Sequence, residues 1–261
     1  MEAFALTVAD LDALLDTLVG PDWGREVIVY GWTVKGLVAH LTAIDRYLAA
    51  KFGIVAGTTR FDASMEHDHV EMTRAAVEVS SQDSAVQVLR SWRSESGRLV
   101  ECAEAFTEVD LQNRVGFHGF DIRIGTALLT RVFEIWTHAD DIRGALGRTV
   151  EAPAAAVLHE MTRMAVPAIP LGMVLRNDAG AGQVARVVLT GVGGGTFDQP
   201  LGLGEKPSAQ MPDPAVVVVA DAVDFCRVAA GRLSIVDLAV EFEGDAELGR
   251  RVLAGAAIFA A

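Results

Sequence analysis

Apolar residues recur at helical spacing through the first half of this chain. Leu11, Leu14, Leu15 and Leu18 follow one another at intervals of three and four, the stripe that one face of a 3.6-residue helix presents. Thr7-Val8-Ala9-Asp10 reads as a capping box with Asp in place of Glu, and Gly20-Pro21 stops the helix. A second helix opens near Trp32-Thr33, with Thr33 as N-cap. Its stripe is Val34, Leu37, Val38, Leu41, Ile44 and Leu48, and Gly53 ends it. A polar connector over about 58–69 carries Glu66-His67-Asp68-His69. A third helical region follows, broken near Ser80-Ser81, and its part over 83–106 has a stripe of Val86, Leu89, Trp92 and Val100. A loop over 110–120 leads to a fourth long helix, about 124–146, ended by Gly147. Four long segments so connected predict a four-helix bundle.

The pattern changes in the second half. Pro153 fits the first turn of a helix reaching about Ala165, which Pro167 and Pro170 would end. The runs 185–190 and 215–219 are β-branched and strand-like, with a turn signal at Gly191 to Gly195. The stretch 220–230 reads as helix, 234–242 fits either state, and a short final helix follows Gly244-Asp245. The fold class expected is therefore an N-terminal all-α four-helix bundle, residues 1–150, and a smaller C-terminal α+β domain, residues 151–261.

Composition narrows the function classes. Half of the 261 residues are apolar, enough for a real core in each half. Yet no charge-free apolar run reaches the ~18 residues of a membrane span. The start, Met1-Glu2-Ala3-Phe4-Ala5, is acidic and lacks a signal-peptide layout, so a cytoplasmic protein is expected. A formal net charge of −13 argues against a nucleic-acid partner, because phosphate binding needs basic patches. Two cysteines, Cys102 and Cys226, are too few for a disulfide framework. They are expected as small buried residues, with a catalytic thiol the less favoured alternative. Lysine occurs only at Lys35, Lys51 and Lys206. With heavy Ala, Val and Gly usage, that points to a GC-rich genome.

The candidate chemistry is split across two of the expected helices. His40 lies on the inward side of the second, beside Leu37, Leu41 and Ile44, and Glu134 and His138 lie on the fourth. Residues four apart share a helix face. A third donor from a facing helix would complete a two-His, one-carboxylate set with open positions for a divalent metal. Singly, each residue has an ordinary reading: His40 as a satisfied core histidine, Glu134 and His138 as a surface ion pair. Jointly they fit a bundle-core metal site, because a carboxylate buried in the stripe of Val132, Ile135 and Trp136 needs a compensating partner. Asp141, three residues after His138, could hydrogen-bond it, or cap the helix, or pair with Arg143 or Arg123. Asp45 and Arg46 follow His40 by about one turn and could line the same cavity. His67 and His69 form a rival metal pair, although their i, i+2 spacing suits a strand and a solvated patch is favoured. His118 could sit at a cavity mouth, and His159 reads as a surface or packing residue. Gly193-Gly194-Gly195 lacks the context of a phosphate loop and reads as a turn.

Two phrases carry a family likeness: GWTVKGLVAHLTAIDRYL and LTRVFEIWTHADDIRGALG. They resemble the mycothiol-dependent maleylpyruvate isomerase family, whose first domain belongs to the DinB/YfiT-like metal-dependent bundles. The residues matching the family pattern are Trp32, His40, Glu134, Trp136, His138, Asp141, Ile142, Ala145, Leu146 and Gly147. Asp140 and the acidic connector 66–69 depart from it. The C-terminal half fits more loosely, through Ala230-Gly231-Arg232 and Glu243-Gly244-Asp245-Ala246. The resemblance implies Arg232 as an anion-binding or catalytic residue, Asp141 beside the metal site, and mycothiol as co-substrate. The composition also fits an actinobacterial source, where mycothiol occurs.

The expectation that follows is a metal- and thiol-dependent enzyme acting on a small molecule. His40, Glu134 and His138 would hold a divalent ion, Zn2+ first. A thiol of ordinary pKa ~8.5 is little ionised at neutral pH, and a bound cation favours its thiolate. Attack on an unsaturated carbonyl or carboxylate substrate, bond rotation and loss of thiol would give cis–trans isomerisation; retention would give S-transfer. Arg232 would hold a substrate carboxylate. Two alternatives remain: a thiol-independent metal hydrolase or lyase/cyclase of secondary metabolism, and a non-catalytic binding protein on the same scaffold. The protein is expected to be a monomer or homodimer.

Overall fold

The computed structural model describes residues 2–52, 69–117, 119–208 and 211–259. The chain divides into two compact units, Met1–Glu151 and Ala152–Ala261.

The first unit is helical: α1 (Glu2–Asp16), α2 (Val34–Lys51), α3 (His69–Ser80), α4 (Ala85–Ala105), the short α5 (Glu108–Gln112) and α6 (Ile124–Ala145). Helix α1 packs on α6 and α4, and α2 packs on α4, α3 and α6. The four long helices are those expected, and the break expected near Ser80-Ser81 separates α3 from α4. The α2 stripe is fully buried at Val34, Leu37, Val38, Leu41, Ile44 and Leu48, and Thr33 Oγ1 caps the helix by accepting from the Gly36 N–H at 3.2 Å.

Three local expectations are corrected. Helix α1 already begins at Glu2, so Thr7 lies inside it, where its hydroxyl donates to the Ala3 carbonyl at 2.7 Å. On α4 the buried side is Val88, Trp92, Ser96, Leu99 and Ala103, whereas Val86 is exposed. The core face is set by Trp92, which is wholly buried, and Val86 falls out of phase with it. The loop expected over 110–120 contains the end of α5 and an antiparallel ribbon, β1 (Arg114–Phe117) with β2 (Phe120–Arg123). That ribbon is pinned by Arg114 Nε donating to Asp121 at 2.6 Å.

The second unit sets α7 (Ala155–Leu175), α8 (Ala222–Ala229) and α9 (Ala246–Ala256) with a four-stranded sheet. The sheet order is β4 (Gly195–Leu201), β3 (Gly180–Thr190), β5 (Val216–Asp221), β6 (Val240–Gly244), with β3 and β5 parallel and the outer pairs antiparallel. Strand β4 was not foreseen, and 234–242 resolves into a turn followed by the first residues of β6. Asp221 and Asp245 cap α8 and α9, each accepting two backbone N–H groups through Oδ1.

Helix α7 contradicts the expected boundaries most plainly. Pro153 precedes it, and Pro167 and Pro170 lie inside it. An interior proline removes one helical hydrogen bond and typically costs ~3 kcal/mol. Packing offsets that cost: α7 lies along α9 so closely that a Cβ on Gly172 would stand 1.9 Å from the Gly255 carbonyl oxygen. Ala165, Val166, Ile169 and Met173 are wholly buried. No described helix is long and apolar enough to cross a membrane.

Candidate metal centre

His40 stands in the middle of α2 and Glu134 and His138 one turn apart on α6, and the helix packing turns all three toward one another. One ligand atom from each residue lies within 4.8 Å of the others. His40 Nε2 is 3.0 Å from Glu134 Oε1. That is the spacing of two neighbouring donors around an ion with bonds of ~2.0–2.2 Å. The two imidazoles meet edge to face, with ring centroids 5.2 Å apart. Trp32, just ahead of the α2 cap, also lies beside His40, with ring centroids 5.2 Å apart.

The donor chemistry fits a divalent cation. Burial pushes the His40 pKa below its ordinary 6.5, outweighing the Glu134 contact that raises it; His138 and Arg131 lower it further. The imidazole is therefore neutral at pH 7, as metal binding requires. His40 Nδ1 is buried without a partner. His138 Nδ1 and Asp141 Oδ2 are 2.9 Å apart in a buried contact. A carboxylate accepts, so Nδ1 carries the proton and Nε2 is left as the donor atom, the usual arrangement of a metal-binding histidine. Asp141 thus pairs with His138, while Arg143 reaches Asp10 and Glu151 instead.

Sequence reasoning missed Arg131. Its side chain is wholly buried and lies between two carboxylates. Nε and one terminal nitrogen donate to Asp45 Oδ1 at 3.0 and 2.8 Å. The other terminal nitrogen pairs with Glu134 Oε2 at 2.5 Å. Burial opposes the charge of Arg131, but Asp45 and Glu134 outweigh it and hold the guanidinium protonated. Burial likewise pushes Asp45 up to about 6 in spite of Arg131, which leaves it ionised at neutral pH. Arg46, expected beside Asp45 at the cavity, turns to Glu95 on α4 at 3.2 Å. The signal that could have found Arg131 is its i, i+3 spacing to Glu134 in an otherwise apolar stretch of α6.

The other candidates separate from this site. His67 and His118 lie outside the described residues, as does the side chain of His69. His159 is exposed. Cys226 is wholly buried and burial pushes its thiol up; Cys102 is raised in the same way. Neither is suited to supply a thiolate. Gly193 and Gly191 serve the β3–β4 turn with positive φ. Arg232 belongs to the second unit, where it follows α8 and donates to the Ala230 carbonyl at 2.9 Å.

This centre is built from helices α2 and α6, and a family model covers both. The model describes the mycothiol maleylpyruvate isomerase N-terminal domain and matches residues 4–143, more than half of the chain. The chain belongs to this mycothiol maleylpyruvate isomerase family. A crystal structure of mycothiol-dependent maleylpyruvate isomerase superposes with a TM-score of 0.62 at 18% identity, over 92% of each chain. A mutant form of that enzyme gives 0.61 at 17% identity. At such identities the likeness is one of fold, and it extends beyond the family-model match into the second unit. An uncharacterized protein of Mycobacterium tuberculosis, Rv0036c in strain H37Rv, is 26% identical over 236 residues, 90% of this chain and 86% of that protein.

Proposed function

We propose that this family member is a metal- and thiol-dependent enzyme. It would use mycothiol to isomerise an unsaturated carbonyl or carboxylate small molecule, or to transfer the thiol to it. The observation that carries this reading is the convergence of His40, Glu134 and His138 donor atoms within 4.8 Å from two helices. Family membership supports the thiol, since the superposed crystal structures are of a mycothiol-dependent isomerase.

In this reading His40, Glu134 and His138 hold one divalent ion, Zn2+ being the first to test because two imidazoles and a carboxylate suit it. When bound, the ion would favour the thiolate over the thiol. Asp141 holds His138 in the tautomer that presents Nε2. Burial of His40 keeps its imidazole neutral, so that it does not have to lose a proton to bind. Arg232 enters on the family resemblance alone, as a residue to hold a substrate carboxylate; a guanidinium grips two oxygens at once. The expected setting is the cytoplasm, and the expected partner a small molecule.

The test is metal content of purified wild type and His138→Ala, with turnover assayed with and without mycothiol. About one divalent ion per chain, lost in the variant together with thiol-dependent turnover, is the expected result. Wild type that binds no metal after zinc add-back would overturn the metal reading. Turnover that ignores the thiol would overturn the thiol reading.

A further inference from the structure

Glu134 is the one carboxylate in the ligand group, and its two oxygens face different partners. Oε1 is 3.0 Å from His40 Nε2, on the side where the imidazoles converge. Oε2 is 2.5 Å from the Arg131 guanidinium. Arg131 cannot simply swing away, because Asp45 on the facing helix takes two of its N–H groups and the Leu41 carbonyl lies 3.4 Å from the same terminal nitrogen. Arg131 and Asp45 are both wholly buried, so neither side chain is open to bulk solvent. Paired buried charges of this kind hold their geometry because separating them leaves a charge uncompensated.

From this we infer that Arg131, anchored by Asp45, is a positioning residue that makes Glu134 a one-oxygen ligand. With Oε2 taken by the guanidinium, the carboxylate offers Oε1 alone, and positions on the ion stay open for thiol, substrate or water. Without Arg131 the carboxylate is free to rotate and close on the ion with both oxygens, filling a position that chemistry needs. The inference rests on the metal reading above and adds the residue that limits how Glu134 binds. It also explains why a charged pair sits in a bundle core where apolar residues of similar size would pack as well.

The test replaces the pair without changing net charge. Wild type and Arg131→Met/Asp45→Leu are loaded with Zn2+. Zinc affinity is read by chelator competition, and coordination by X-ray absorption, which is sensitive to how near the carboxylate carbon lies. Wild type should show one-oxygen binding. The folded double variant should show the carboxylate carbon drawn toward the ion and affinity weaker by about 10- to 100-fold, the range for loss of a group that orients a ligand. A packing role alone would move neither. If the double variant does not fold, Asp45→Asn carries the same test, since it keeps the volume and removes the charge that anchors the guanidinium. Wild type that binds zinc, with variant coordination and affinity unchanged, would overturn this inference and leave the metal reading standing. Wild type that binds no zinc would overturn both.

Discussion

His138 donates its Nδ1–H to Asp141 Oδ2 across 2.9 Å, within one turn of α6 and out of solvent. The pair fixes the tautomer and the plane of the imidazole before any ligand arrives. Asp141→Ala should therefore weaken zinc binding by about 10- to 100-fold, with the helical circular-dichroism signal unchanged. Asp141→Asn should lose less, because its amide oxygen still accepts the same hydrogen bond. Chelator competition on the three proteins checks the order. Equal affinities would mean that the contact does not orient the ligand.

Acid should weaken the metal-free protein through His40. Burial lowers its folded pKa below 6.5. Between that value and 6.5 the unfolded chain holds a proton that the folded chain does not, so stability falls as pH falls, by up to ~1.4 kcal/mol per pH unit inside the window. Asp45 acts the other way. Its folded pKa is about 6 against an ordinary 3.8, so its share of stability grows as pH drops through 6. Comparing wild type with His40→Gln leaves the Asp45 share in both. Urea unfolding at pH 7.5 and 5.5 should show the larger loss in wild type; equal losses would rule His40 out as the source.

The Asp45–Arg131 pair should be costly to break and cheap to replace. Arg131→Met leaves a buried carboxylate without its cation and should lower stability by about 3–5 kcal/mol. Arg131→Met/Asp45→Leu removes the wholly buried pair and should recover most of that loss, the remainder reflecting part-exposed Glu134 left without its cation. A double variant as unstable as the single one would show that packing of these side chains, rather than charge compensation, decides the site.

Two helical glycines should respond oppositely to alanine. A Cβ at Gly172 would meet the Gly255 carbonyl at 1.9 Å, whereas one at Gly144 on α6 meets nothing within 4 Å. Gly144→Ala should stabilise the protein by about 0.5–1 kcal/mol through helix propensity. Gly172→Ala should destabilise it, since α7 and α9 must separate to admit the methyl group. Thermal unfolding of the two variants gives the signs directly.

Much of the first unit could be read from the chain because its information is local. The α2 stripe and the Thr33 cap depend on residues three and four apart, and both are as expected. So does the His138–Asp141 contact, one of the readings the spacing left open. The spacing of Glu134 and His138 placed them on one face of α6, and the periodicity placed His40 on the inner side of α2. The periodicity misled on α4, because Val86 and Val88 are equally apolar and only the seat of Trp92 chooses between them. It misled on α7, because a rule about proline describes the helix alone and cannot weigh the contact with α9. Strand β4 was missed because a run broken by Asp198 and Pro200 gains its state from pairing with β3.

The sequence by itself determined the candidate donor residues, their helical spacing and the helices that carry them, since each follows from which side chains share a face. Only the tertiary structure decided that α2 and α6 bring His40 within 3.0 Å of Glu134, and that Asp45 on α2 anchors Arg131 beside it. Both depend on residues 86 and more positions apart along the chain, such as Asp45 and Arg131. Their meeting is fixed by how the helices pack, which no local pattern encodes.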